Sequence, residues 1–254
     1  MVWKQSFGSC ESQGDEVQPV ELLRTDRIVG SGASQPAARH QDVSLFHSQR
    51  AAVARLQYAV AQEASLVILC GPGGSGVSTV LSTLSTNLHQ VTHVVRLDLS
   101  TLTTFPQSAS HTKSQAIVFI IDNCHLASDG TVGHVTKAIW QQSPSAAVVL
   151  GGRGRLLTLL ARDRGLLDKV LLRSVLHPFS FPETLAVVQS ELKSSGLIYS
   201  GRVPEVIHEV TAGIAKDIFH LIGIVRLVGG GHGDRPVEVA DIEQIHERLH
   251  AAAA

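Results

Sequence analysis

The residues whose types and spacing most clearly invite chemistry lie in Leu66–Thr79, LVILCGPGGSGVST. An apolar run of strand length meets Gly71, Gly73, Gly74 and Gly76, with Ser75 among them, and then Val77, Ser78 and Thr79. Glycines let successive backbone N–H groups turn inward around an anion. A helix starting just after them adds its own unpaired N–H groups and the positive end of its dipole. The spacing matches two templates: G-x-x-x-x-G, the front of a phosphate loop, and G-x-G-x-x-G, a dinucleotide fingerprint. Asp98 supports the second template, because it ends the next apolar run about twenty residues on, where a ribose-binding acid belongs.

The residues beyond the loop favour the phosphate loop. Ser78 and Thr79 stand where such a loop keeps a hydroxyl for Mg²⁺, and AIVFIIDN is an apolar strand ending in an acid, Asp122, suited to hold the same ion. A dinucleotide oxidoreductase needs a further catalytic group, yet neither Tyr58 nor Tyr199 begins a Y-x-x-x-K. An NAD(P)-dependent oxidoreductase therefore rests on GPGGSG and Asp98 alone.

Two positions depart from a working ATPase. Val77 stands where a phosphate loop carries lysine, the point charge on the β- and γ-phosphates. Losing such a charge-assisted contact costs on the order of 3 kcal/mol, over about a hundredfold in affinity. Asn123 stands where, in the ATPases that this loop and strand resemble, an acid follows the strand-end aspartate, and an amide cannot take a proton from water. General-base contributions run to roughly 10²–10⁴-fold in rate.

Elements must bring these residues together. In LFHSQRAAVARLQYAVAQ, Phe46, Val53, Leu56 and Val60 recur at helical spacing. SLVILCG, HVVRLDL, AIVFIID, AAVVLGG and KVLLRSVLH read as five strands. VSTVLSTLSTNLHQ, GTVGHVTKAIWQQ and RLLTLLARD read as helices between them. This alternation predicts an α/β fold with a parallel five-stranded sheet covered on both faces. After about Pro178 the pattern turns helical, opening with the capping box Ser180–Glu183. The expected organisation is a flexible arm over 1–41, a core over 42–177 and a helical lid over 178–254.

Net charge is −1, which demands neither nucleic acid nor an anionic membrane. No apolar run approaches the roughly 18–20 residues of a spanning helix. The three cysteines, Cys10, Cys70 and Cys124, form no C-x-x-C and fit a reducing, cytoplasmic compartment. The thirteen histidines show no metal-binding spacing.

From about Leu45 onward the chain resembles AAA+ P-loop ATPases, notably the general secretion pathway protein A type and transposition helper ATPases. The helix FHSQRAAVARLQYAV, the loop, the Asp122 strand, VVLGGRGRLLTLL, VLLRSVLHPFSFPETLAVVQSELKSSG and TAGIAKDI carry the resemblance, in order and spacing. It implies ATP or ADP with Mg²⁺ between core and lid, the ion held by Ser78 and Asp122. It also implies Arg153 in the sensor 1 region, Lys216 in the sensor 2 position, and a trans-acting arginine among Arg162, Arg164 and Arg173. Such proteins hydrolyse ATP and drive protein partners or DNA complexes, often as oligomers. With Val77 and Asn123 in the motifs, the expectation is impaired or lost hydrolysis and a regulatory or scaffolding role. The alternative is an active ATPase. Secretion-type relatives often carry a membrane anchor and a cell-wall module after the core; with HAAAA there instead, the expectation is a free cytoplasmic regulator rather than a secretion role, and DNA draws no support from charge.

Overall fold

The computed structural model describes residues 45–62, 64–101, 116–229 and 235–253, all within the unit Ser44–Ala254. The arm expected over 1–41, with Cys10 and VELLRTDRIV, lies outside the described residues.

The first helix, α1 (His47–Val60), is followed by β1 (Leu66–Cys70), α2 (Val77–Leu88), β2 (His93–Asp98) and β3 (Ile117–Asp122). A single 3₁₀ turn, Cys124–Leu126, leads to α3 (Thr131–Gln142), β4 (Ala147–Gly152), α4 (Arg155–Ala161), the one-turn α5 (Arg164–Leu167) and β5 (Val170–Val175). Four helices close the chain: α6 (Phe181–Ser194), α7 (Val203–Thr211), α8 (Ala215–Gly229) and α9 (Val239–Ala253).

The five strands form one parallel sheet in the order β2-β3-β4-β1-β5. Their alternation sorts side chains cleanly onto two faces. Val67, Leu69, Val118, Ile120 and Val149 pack with Leu56 of α1 and Leu81 and Leu84 of α2. Leu66, Ile68, Phe119, Ile121, Val148 and Leu150 pack with Ile139 of α3 and Leu156 and Leu160 of α4. Burial on both faces is why the central strands β1, β3 and β4 read as continuous apolar runs rather than as alternating ones.

Beyond β5 the described residues are helical apart from one isolated bridge, Tyr199 to Val237. These helices share their own core, with Val187, Leu192, Ile207, Ile218, Ile222 and Ile242 at its centre. The capping box at α6 is present: Glu183 Oε2 accepts from the Ser180 N–H at 3.1 Å and from its hydroxyl at 3.0 Å. Glu183 Oε1 reaches back to α1, accepting from the Ser48 N–H at 2.8 Å. Burial alone would raise the Glu183 carboxyl pKa, but the N–H donors of Ser48 and Ser180 and the Ser180 hydroxyl outweigh it and hold the pKa below its ordinary value.

Candidate functional site

The loop between β1 and α2 is shaped by two left-handed glycines, Gly74 at φ +85° and Gly76 at φ +95°, the latter capping α2. No side chain caps that helix. The N–H groups of Gly73, Gly74, Gly76, Val77, Ser78 and Thr79 meet no acceptor among the described residues. Ser75 is buried, and its hydroxyl has no partner among them either. A run of unpaired donors at a helix start is what a phosphate group satisfies.

Strand order decides what else arrives there. One strand, β4, separates β1 from β3, so the loop, Asp122 and the residue after β4, Arg153, rise from neighbouring strand ends. Asp98 ends β2, and two strands separate β2 from β1. At about 4.8 Å per strand that is roughly 14 Å across the sheet. A ribose-binding acid sits on the strand beside the loop strand in the dinucleotide fold, so the dinucleotide assignment of Asp98 does not hold.

Arg153 lies directly on the loop: a Cβ built on Gly73 would sit 3.1 Å from its guanidinium carbon, 3.3 Å from Nε and 3.4 Å from Nη1. Lys216 approaches from the lid. Its N–H donates to the Gly74 carbonyl at 3.0 Å, and its Cβ would be 3.0 Å from a Cβ on Gly74. Both side chains are exposed, and neither has a hydrogen bond or ion pair among the described residues. Val77 behaves differently: it is half-buried and packs against the core under α1 and α2. Ser78 is exposed and Thr79 half-buried.

Asp122 is buried, and its Oδ1 accepts the Asn123 N–H at 2.7 Å, leaving Oδ2 for a cation. Among the described residues no group of three or more His, Cys, Asp or Glu side chains forms a metal cluster. Asn123 adopts φ +57°, and its Nδ2 donates to Asp98 Oδ2 at 3.0 Å. The amide is thus tied sideways to β2. Asp98 is itself held below the ordinary carboxylate range, first by the Ser100 hydroxyl and also by Asn123 and Arg96, against a modest burial effect.

Two residues of this region escaped the sequence reading. Gln49 of α1 is buried; its Nε2 donates to the Ser75 carbonyl at 3.4 Å and would lie 2.4 Å from a Cβ on Gly76. The available signal was a polar residue on the apolar stripe of Phe46, Val53 and Leu56. His125, three residues after Asp122, buries an unpartnered Nδ1. Burial lowers its pKa, with Arg153 and Arg155 acting in the same direction and Asp122 opposing them. Of the candidate trans-acting arginines, Arg162 pairs with Asp129, and Arg164 and Arg173 are exposed on α5 and β5.

Strand order, loop and strand-end acid together define a P-loop NTPase fold of the AAA+ type, as the sequence led one to expect. Among solved structures, the chain is similar to RuvB of Thermotoga maritima. One single-substitution form matches with TM-score 0.58 and 17% identity over 80% of this chain and 66% of that one. The structure described as the RuvB Holliday junction branch migration motor of the same organism matches with TM-score 0.57 and 16% identity, over 79% and 69% of the two chains. This chain thus spans about two thirds of the length of those proteins. No protein-family model and no curated protein matches it.

Proposed function

We propose that this protein is an AAA+-type nucleotide-binding protein with impaired or lost hydrolysis, acting as a regulatory or scaffolding component of a larger machine. The observation that carries the reading is the split state of the site. Its backbone half keeps the N–H groups of Gly73, Gly74, Gly76, Val77, Ser78 and Thr79 without an acceptor among the described residues. Its two departures are built into the surroundings, with Val77 packed on the core and Asn123 tied to Asp98. ATP or ADP would lie along Gly71, Gly73, Gly74, Ser75 and Gly76 and the start of α2, with Mg²⁺ on Ser78 and Asp122. Arg153 and Lys216 would act as the two sensors of the bound phosphates.

The partners are proteins, including further copies of this chain. Likeness to a branch-migration motor favours a DNA-associated machine over secretion machinery, with DNA contacted through a partner, since the net charge of −1 supplies no basic excess. No described helix is long and apolar enough to cross a membrane. The free, buried Cys70 and Cys124 support a cytoplasmic setting.

The test is calorimetric titration of Mg·ATP into the purified chain, paired with a phosphate-release assay. Binding with turnover at or below the background rate is expected. Turnover at about 1 s⁻¹ or faster, an ordinary enzymatic rate, would establish the alternative, an active ATPase.

A further inference from the structure

We infer that the positive charge absent from the loop at Val77 has been moved to Arg153, which binds the terminal phosphates of the nucleotide in the manner of the missing lysine. The inference rests on the nucleotide-binding reading above and specifies which residue replaces the lost contact.

Three observations support it. The guanidinium lies against the loop backbone itself, 3.1 to 3.4 Å from a Cβ position on Gly73. Arg153 also has no carboxylate partner or other hydrogen bond among the described residues, whereas Arg155, two residues on, donates to the His125 carbonyl at 2.8 Å. An unpaired guanidinium held close to a ring of unpaired N–H donors is a focused field for an anion. Finally, β4 lies between the loop strand and the Asp122 strand, so its end stands over the middle of the site. A side chain from there can extend over the loop to a bound phosphate. Arginine suits that approach better than lysine, because its planar fork grips two phosphate oxygens at once.

This arrangement also explains why Val77 can be apolar. The Val77 side chain fills space on the core under α1 and α2. A lysine returned to that position would either leave the core or bring a second cation toward Arg153. The two substitutions should therefore be strongly non-additive.

Mg·ATP, ADP and AMP are titrated by calorimetry into the wild type, Arg153→Ala, Arg153→Lys, Val77→Lys and the double variant Val77→Lys/Arg153→Ala. Arg55→Ala, an exposed arginine of α1, controls for loss of one positive charge. Expected are a loss of at least about tenfold in ATP affinity for Arg153→Ala, partial recovery in Arg153→Lys, and little change for AMP or for Arg55→Ala. Val77→Lys alone should gain less than about threefold, and only in its presence should Arg153→Ala become nearly silent. Wild-type affinity in Arg153→Ala overturns the inference and leaves the nucleotide site standing. So does a gain near a hundredfold in Val77→Lys, which would mean that nothing had replaced the lysine. No binding of ATP to the wild type at millimolar concentration overturns the nucleotide reading and the inference together. Thermal melts of each variant confirm folding, which an exposed arginine should not alter.

Discussion

Returning the missing acid by Asn123→Glu should not create an ATPase, and the reason is electrostatic. Asn123 donates to Asp98 Oδ2 at 3.0 Å, and Asp98 and Asp122 are register partners on adjacent strands. A glutamate would replace a hydrogen-bond donor by a second carboxylate about 4 Å from Asp98. Two like charges at that distance repel by about 1 kcal/mol in water and about 4 kcal/mol at an effective dielectric constant of 20. Asp98 is only half-buried on an edge strand, so a screened value of about 1–2 kcal/mol applies. The φ of +57° adds a backbone penalty for any side chain other than glycine or asparagine. Asn123→Gln carries the same penalty without the charge and is the proper reference. For a chain of this length about 1–2 kcal/mol corresponds to roughly 3–6 °C in Tm. Asn123→Glu should melt that much below Asn123→Gln at pH 7.5. Mutual repulsion raises the folded-state pKa of the pair, so the folded state binds more protons than the unfolded one and stability falls as pH rises through about 4 to 6. The gap should therefore close on acidification. Phosphate release should increase only in Asn123→Glu/Asp98→Asn, where the repulsion is gone. Equal melting of the two single variants at pH 7.5, or a gap that ignores pH, would refute the reasoning.

Three further perturbations follow from the same geometry. Val77→Lys should lose about 1 kcal/mol of stability, because a half-buried apolar contact with the core is exchanged for a solvated chain; denaturant unfolding measures it. Gly76→Ala should cost about 1–3 kcal/mol and also abolish ATP binding, since φ is +95° and the new methyl would sit 2.4 Å from Gln49 Nε2; a normal melting curve would contradict it. Glu183→Ala should cost about 1 kcal/mol at pH 7, a value discounted for partial exposure. The folded pKa of Glu183 is depressed, so its contribution is present above the ordinary carboxylate pKa and disappears as pH falls through the folded value. Melts of wild type and variant should differ at pH 7 and converge near pH 3.

Much of the fold was legible because the three central strands β1, β3 and β4 are buried on both faces, and runs such as AIVFIID have no other use in a chain of this hydropathy. The Ser180–Glu183 box was legible because capping is local chemistry. The one-turn α5 was not: Arg164-Gly-Leu-Leu carries no period, and its start is set by Asp163 accepting the Leu166 N–H at 3.2 Å. The loop could be located from its glycines, but its neighbours could not. Gln49 meets Ser75 across twenty-six residues. Asn123 meets Asp98 only because β2 pairs with β3 at the sheet edge. Strand order is a tertiary fact, and the same fact removed Asp98 from the dinucleotide assignment.

The loop is gripped from three directions: by Gln49 of α1, by Arg153 after β4, and by Ile214 and Lys216 of the lid. Of these, the Gln49 and Lys216 contacts are hydrogen bonds between protein groups, and exchange of one phosphate ligand for another leaves their donors and acceptors in place. A machine that performs work must alternate between two shapes whose balance its fuel tips. A loop whose shape is maintained by its own walls offers the fuel little to tip. On the proposed reading of a regulatory or scaffolding subunit, the consequence would be mechanical: it would transmit no stroke of its own and would supply a fixed seat against which moving neighbours push.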